Sequence, residues 1–420
     1  MPNQIQLDRS APGPLFQKLK DEIVRQIRLG VLRPGDRLPP TRTMARDLGV
    51  NRGTVSTAYE ELLDDGVLTS HVGRGTFVAS DLPMTAILPR DEGNGAFRWT
   101  DHFAGFQPAP PNAAMQAAAG VASESGVISF AGNVPDPELF PTEAFRKALN
   151  DVFKQAGSTL LGYGPPQGNP DFLSFLRDYL STQRQLTVRE DEILVVNGSQ
   201  HGADLIARTF LRSGDTVLVE EPTYYGAAQL FRGYGARLVG VPMDAGGVRI
   251  EAVEAVLDRE RPKLMYVMPT FQNPTGGTLA AARRKALVQL TRRYHVPLVE
   301  DDFDGELYFD QPPSPPLKSE RDAEGVIYLG TPSKVLFPGL RIGWIVASEP
   351  VIERLVRIKQ MTDLSGSQLL QAALARFART GGLDEHMRTV RKAYGQRVAK
   401  LVRALETHMP DGVTWTHPQG

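Results

Sequence analysis

Residues 326–346 read VIYLGTPSKVLFPGLRIGWIV. Two apolar runs, Val326 to Leu329 and Ile342 to Val346, enclose a loop of Gly, Thr, Pro and Ser that carries Lys334 directly behind Ser333 and Arg341 seven residues on. Short apolar runs bounded by such breakers read as buried strands. Five more precede them: Ile193 to Val196, Val217 to Val219, Leu238 to Val241, Leu264 to Met268 and Leu298 to Glu300. Longer helical patterns separate most of them. Seven apolar strands interleaved with helices predict a seven-stranded, mostly parallel α/β sheet covered on both faces. From about Pro350 to Met409 the pattern is helical, and Gly412 to Thr416 is expected to open a further strand.

Ligands of open α/β sheets bind beyond the carboxyl ends of the strands, and that is where this chain places its polar motifs. Asn197-Gly198-Ser199-Gln200 follows the first run and opens a helix, so free N–H groups and the Ser199 hydroxyl can cradle a phosphate. Glu221-Pro222-Thr223-Tyr224 follows the second and offers the Tyr224 ring as a stacking surface. Asn273-Pro274-Thr275-Gly276 is a sharp loop with an amide donor, and Glu300-Asp301-Asp302 ends its strand in carboxylates. Singly, Lys334 reads as a surface lysine, Asp301 as a helix cap, Tyr224 as core and Asn273 as a turn residue. Together and in order they are the groups that pyridoxal phosphate requires. An amine forms the imine, a carboxylate keeps the pyridine nitrogen protonated, a ring stacks on it, and arginine with N–H groups neutralises the phosphate.

The first 80 residues have another character. Leu15, Leu19, Ile23 and Ile27 recur every fourth position, a helical face that ends near Gly30. A second helix is expected from Thr41 to Gly49 and a third from Arg52 to Asp65, with Val55, Tyr59, Leu62 and Leu63 inward and Gly66 as its stop. Val67 to Thr69 and Thr76 to Val78 flank Val72-Gly73-Arg74-Gly75 as a small hairpin. Two helices joined by Gly49-Val50-Asn51 form a helix-turn-helix whose second member can enter a major groove. Asn51, Arg52, Thr54 and Ser56 then face bases and phosphates, Thr41 and Arg42 face phosphates, and His71, Gly73 and Arg74 form a wing tip near the minor groove. The competing reading is a three-helix accessory domain with an ordinary polar surface. Residues 81–97, with Pro83, Pro89, Gly93 and Gly95, read as a linker to a domain spanning 98–420.

Composition narrows the classes. The 420 residues contain no cysteine, which removes disulfides, thiol nucleophiles and cysteine metal sites and fits a reducing cytoplasm; no metal site is expected. The start MPNQIQLDRS has no apolar signal core. The longest uncharged stretch, Phe103 to Ser123, is broken by Pro108, Pro110 and Pro111, so a membrane span is not expected. Net charge is -1 overall, and residues 1–80, with 11 basic and 9 acidic side chains, carry only +2. A nucleic-acid case therefore rests on where the basic residues sit.

Residues 30–79, GVLRPGDRLPPTRTMARDLGVNRGTVSTAYEELLDDGVLTSHVGRGTFVA, resemble the winged helix-turn-helix of the GntR family of bacterial transcription regulators. The resemblance places DNA contacts on Arg42, Arg52, Thr54, Ser56, His71 and Gly73. Gly53 stands where a small polar residue is usual.

From about Phe97 the segments ISFAGNVPDPELFP, YGPPQGNPDF, VVNGSQHGADL, VEEPTYYGA, FQNPTGG, VEDDFDGELYF and LGTPSKVLFPGLRIGW resemble a fold-type-I, class I/II aminotransferase of the 2-aminoadipate and kynurenine group. That resemblance implies Lys334 as the Schiff-base lysine, Asp301 on the pyridine nitrogen, Tyr224 stacked and Asn273 on the ring hydroxyl. It implies Gly198, Ser199, Gln200, Ser333 and Arg341 on the phosphate, and Tyr163 reaching the phosphate of the other subunit of a homodimer. Phe303 and Asp304 stand where a ring-bonding tyrosine is usual. The chain stops where such enzymes enter the rest of their small C-terminal domain, so that domain is expected to be incomplete and to lack the substrate-carboxylate arginine, either because the sequence is truncated or because the protein lacks that clamp. A GntR module fused to such a domain is the arrangement of the MocR subfamily. The expectation is a cytoplasmic regulator that binds double-stranded operator DNA and whose dimeric aminotransferase-like domain senses PLP or a small amino compound. The alternatives are a working amino acid aminotransferase with an accessory winged helix, and a PLP-free dimeriser.

Overall fold

The computed structural model describes residues 5, 7, 13–28, 31–71, 75–79 and 134–420. They fall into two compact units, one within residues 1–105 and one within 106–420. The expected linker 81–97, the stretch 103–123, and Gly73 and Arg74 of the expected wing tip lie outside the described residues.

In the first unit α1 (Leu15–Arg28), α2 (Thr41–Leu48) and α3 (Arg52–Asp64) precede a hairpin of β1 (Leu68–His71) and β2 (Gly75–Val78). Leu19, Ile23 and Ile27 of α1 are buried, as their fourfold spacing requires, against Val55, Ala58, Tyr59 and Leu62 of α3. Leu15, at the end of that face, stays exposed, and Leu63 sits half-buried at the core margin. Gly49 ends α2 in the left-handed region, φ 62°, and its N–H returns to the Ala45 and Arg46 carbonyls. Asn51 caps α3 by accepting the Gly53 N–H at 2.8 Å. Buried Lys20 joins α1 to the end of α3 through Glu61 at 2.7 Å and Asp65 at 2.8 Å. The hairpin pairs Leu68 with Val78 and His71 with Gly75.

The second unit opens with α4 (Thr142–Ala156) and α5 (Pro170–Arg184). There follow β3 (Ile193–Val196), α6 (Ser199–Phe210), β4 (Thr216–Glu221), α7 (Tyr225–Gly233), β5 (Arg237–Asp244), β6 (Gly247–Val248) and α8 (Ile250–Glu260). The next elements are β7 (Leu264–Val267), α9 (Ala281–Arg293), β8 (Leu298–Asp302), β9 (Val326–Gly330) and β10 (Gly343–Val346). Helices α10 (Glu349–Asp363), α11 (Gln368–Arg379) and α12 (Gly382–His408) close the order. One eight-stranded sheet runs β3-β10-β9-β8-β7-β4-β5-β6. Seven strands are those read from the apolar runs. The eighth, β6, is two residues long, too short to leave a pattern.

Side chains alternate along each strand, and the core shows it. Val217 and Val219 of β4 and Leu264 and Tyr266 of β7 join one cluster with Leu205, Ile206, Phe231 and Leu355. Leu218, Met265 and Val267 join another, with Val253, Leu257, Leu287 and Val288. Helices therefore cover both faces. Strands β5, β4, β7, β8 and β9 are mutually parallel, whereas β10 is antiparallel to both β9 and β3. Two reversals restore direction, so β3 ends at the same edge as β4, β7, β8 and β9, and β10 starts there.

The expected strand at Gly412 to Thr416 does not form. Gly412 lies in a turn, Val413 is exposed, and the residues to 420 have no regular structure. A strand needs a neighbour to pair its N–H and C=O groups, and no described strand pairs with this segment.

Leu62, wholly buried between α1 and α3, sets a test of the first core. Leu62→Ala should cost about 2–5 kcal/mol, read as faster native-state hydrogen exchange of the α1 and α3 amides.

Candidate functional site

The common edge of the strands encloses a cavity of about 420 Å³. Its walls include Ser199, Tyr224, Asn273, Asp301, Ser333 and Lys334, six of the residues singled out in the sequence, with Thr223, Tyr225, Met268, Phe303 and Thr331 between them. Residues from the ends of β3, β4, β7, β8 and β9 thus meet in one place.

Asp301 is the penultimate residue of β8 and is buried. From the adjacent β7 the Tyr266 hydroxyl donates to its Oδ2 at 2.5 Å, while its buried Oδ1 has no partner among the described residues. Burial pushes the carboxyl up to about 7; the Tyr266 bond opposes this and the neighbouring Asp302 carboxylate reinforces it. Asp302, one step along the pleat, goes to different partners: it pairs with buried Arg184 and accepts the Tyr328 hydroxyl at 2.8 Å. An unmatched buried oxygen at the cavity wall suits a protonated ring nitrogen.

Lys334 sits half-buried in the loop between β9 and β10. The loop is held by Thr331, whose Oγ1 donates to the Ile342 carbonyl at 2.8 Å and meets the Ser333 hydroxyl at 2.9 Å. Burial lowers the Lys334 pKa, and the Asp304 carboxylate opposes that shift. The shift favours the neutral, nucleophilic amine. Asp304 is itself pushed well above the carboxylate range by burial and by Asp302 and Asp301.

Where β3 gives way to α6, Gly198 takes φ +84°, and a Cβ there would lie 2.6 Å from Arg341 Nη2. Gly343 of β10 faces Val196 of β3, and a Cβ on it would lie 2.9 Å from the Gly198 carbonyl carbon. Glycine at both positions lets Arg341 and the open N–H groups of α6 converge, with Arg341 Nη2 donating to the Asn197 carbonyl at 3.1 Å. That convergence is an anion cradle. The cavity, the cradle and the bare Asp301 oxygen fit pyridoxal phosphate.

Gln200 is exposed in the first turn of α6 and is not part of the cavity wall. Tyr163 is 85% exposed and does not line the cavity. Phe303 lines the cavity and brings no hydroxyl to it. Tyr266 and Arg184 escaped the sequence reading. A tyrosine inside the otherwise apolar run Leu264 to Met268 was the available signal for the first; none marked the second.

In the first unit Arg42 and Arg52 are exposed at the starts of α2 and α3, Thr41 and Thr54 are half-buried beside them, and Ser56 is half-buried on α3. Asn51, expected to face outward, spends its side-chain oxygen on the cap. His71 is exposed at the end of β1, its ring tilted against Phe77 at 5.9 Å.

Residues 125–420 match the model of aminotransferase class I and II, and residues 15–78 match that of bacterial regulatory proteins of the gntR family. The chain is 32% identical to the HTH-type transcriptional regulator YisV of Bacillus subtilis, across 100% of this chain and 85% of that protein. It is 34% identical to the probable rhizopine catabolism regulatory protein MocR of Rhizobium meliloti, across 97% and 80%. Among solved structures, a multiple substrate aminotransferase from Thermococcus profundus superposes with a TM-score of 0.73 at 35% identity, over 77% of this chain and 82% of that one.

The buried carboxyls set a pH dependence. Asp301 at about 7, Glu220 at about 8 and Glu300 at about 7 all titrate above their unfolded values, so the fold holds their protons more tightly. The stability they give is full below about pH 4 and is lost as pH rises through about 7 to 8. The melting temperature of the ligand-free protein should fall over that window, and Asp301→Asn should flatten part of the slope.

Proposed function

The chain belongs to the MocR type of GntR-family proteins, a GntR DNA-binding domain fused to an aminotransferase class I and II domain, and from that premise we propose that it is a PLP-binding transcription regulator. The observation that carries the reading is the meeting of Ser199, Tyr224, Asn273, Asp301 and Lys334 around one cavity, with the Gly198 and Arg341 cradle beside it. Asp301 holds the ring nitrogen protonated, Tyr224 stacks on the ring, Asn273 bonds the ring hydroxyl, and Ser199, Ser333, Gly198, Gln200 and Arg341 neutralise the phosphate. Lys334 anchors the group covalently through its amine. When bound, the cofactor supplies an electron sink and a carbonyl that an amino compound can exchange onto.

The aminotransferase-like domain then serves as sensor and dimeriser in the cytoplasm, with the divisions 1–80, 81–97 and 98–420 and with Tyr163 completing the partner's phosphate site. Arg52, Thr54 and Ser56 meet base edges, Thr41 and Arg42 meet phosphates, and His71 and Gly73 belong to the wing. The rival reading, a working aminotransferase, has less support, because the regulators named above match nearly the whole chain while the aminotransferase structure covers 77% of it.

Purified protein given PLP should show a visible absorption band that borohydride bleaches, and Lys334→Ala should lack it. Indistinguishable spectra from the two would sink the cofactor assignment. On operator DNA, Arg52→Ala should cost about 1–3 kcal/mol and relax preference at one position, while Arg42→Ala should weaken all sequences about equally. Fluorescence anisotropy on matched and scrambled duplexes separates these outcomes, and unchanged affinity in both variants defeats the DNA reading.

A further inference from the structure

Asn197 is bonded on three sides. Its N–H donates to His201 Nδ1 at 3.1 Å, its Nδ2 donates to Asp363 Oδ2 at 2.8 Å, and its carbonyl accepts Arg341 Nη2 at 3.1 Å. Asp363, the last residue of α10, is in turn gripped by Lys359 one turn earlier, Nζ to Oδ1 at 2.9 Å, with the Lys359 side chain 1% exposed. A buried lysine held by a half-buried aspartate is a costly arrangement that apolar residues could replace for stability alone. Yet this pair ends on the residue that joins β3 to the anion cradle, and Gly198, Ser199 and the arginine's acceptor all belong to that junction.

We propose that Lys359 and Asp363 are positioning residues for the phosphate of the cofactor. The pair fixes the Asn197 side chain, the fixed residue aims its carbonyl at Arg341, and the guanidinium is thereby held over the N-terminus of α6. Burial keeps His201 below the ordinary histidine range, so its Nδ1 stays an acceptor and the third bond points the same way. The inference rests on the reading of the cavity as a PLP site.

The test compares two probes, PLP and pyridoxal, which differ only in the phosphate. Asn197→Ala breaks the link and leaves the ion pair whole. A double variant, Lys359→Met with Asp363→Leu, removes both charges together and leaves neither buried alone. Both should bind PLP about ten- to a hundredfold more weakly, the loss expected for one charge-assisted hydrogen bond, with pyridoxal affinity unchanged. If wild type favours PLP over pyridoxal and the variants favour it to the same degree, this proposal is overturned and the cofactor site stands. If wild type binds the two equally, the phosphate cradle itself is refuted and this proposal falls with it. Equal weakening of both probes, with a lowered melting temperature, assigns the pair a structural role and also overturns it.

Discussion

The half-answered charge of Asp301 governs the arrangement of the second unit. A sheet that buries a carboxylate must give each oxygen a donor, and among the described residues only Oδ2 has one, from Tyr266. The adjacent Asp302 takes an arginine and a tyrosine hydroxyl on its Oδ2 and likewise keeps an unpartnered Oδ1 among the described residues. Two successive residues of β8 thus carry the same functional group to opposite faces of the pleat. One carries a cation, Arg184; the other lines the cavity. Tyr224, Asn273, Ser199 and Lys334 surround Asp301 because parallel strands deliver their carboxyl ends to one edge.

Much of this was legible in the sequence because burial on both faces leaves strands as unbroken apolar runs, and because Gly, Pro and Asn mark where they stop. Seven strands and six cavity residues were placed on those grounds. What was hidden depends on pairings between distant residues. Nothing near Arg184 indicates that it meets Asp302, since the two share no local period, and β6 is too short to have one. The strand expected at Gly412 to Thr416 had the right residue types but no neighbour to pair with. Local propensity proposes a strand, and only a partner makes one.

The first unit was read with similar success for the same reason. Its helices bury one face at fourfold spacing, and Gly49 stops α2 where the backbone must turn left-handed. Asn51 is exposed, as expected, and in addition its side-chain oxygen caps α3, because a free helix N-terminus competes for any short polar side chain beside it. Arg42 and Arg52, with no such local use, remain exposed.

The sheet order has a consequence in time. The cradle needs Gly198 at the end of β3 and Arg341 at the start of β10, the first and last strands of the sheet along the chain, which lie side by side in it. During synthesis the carboxylate of β8 emerges from the ribosome before Lys334, and Lys334 before the arginine. A nascent chain extended only through β9 carries Tyr224, Asn273 and Asp301 but neither Lys334 nor Arg341, so the site is complete only when the final strand has inserted between its two neighbours.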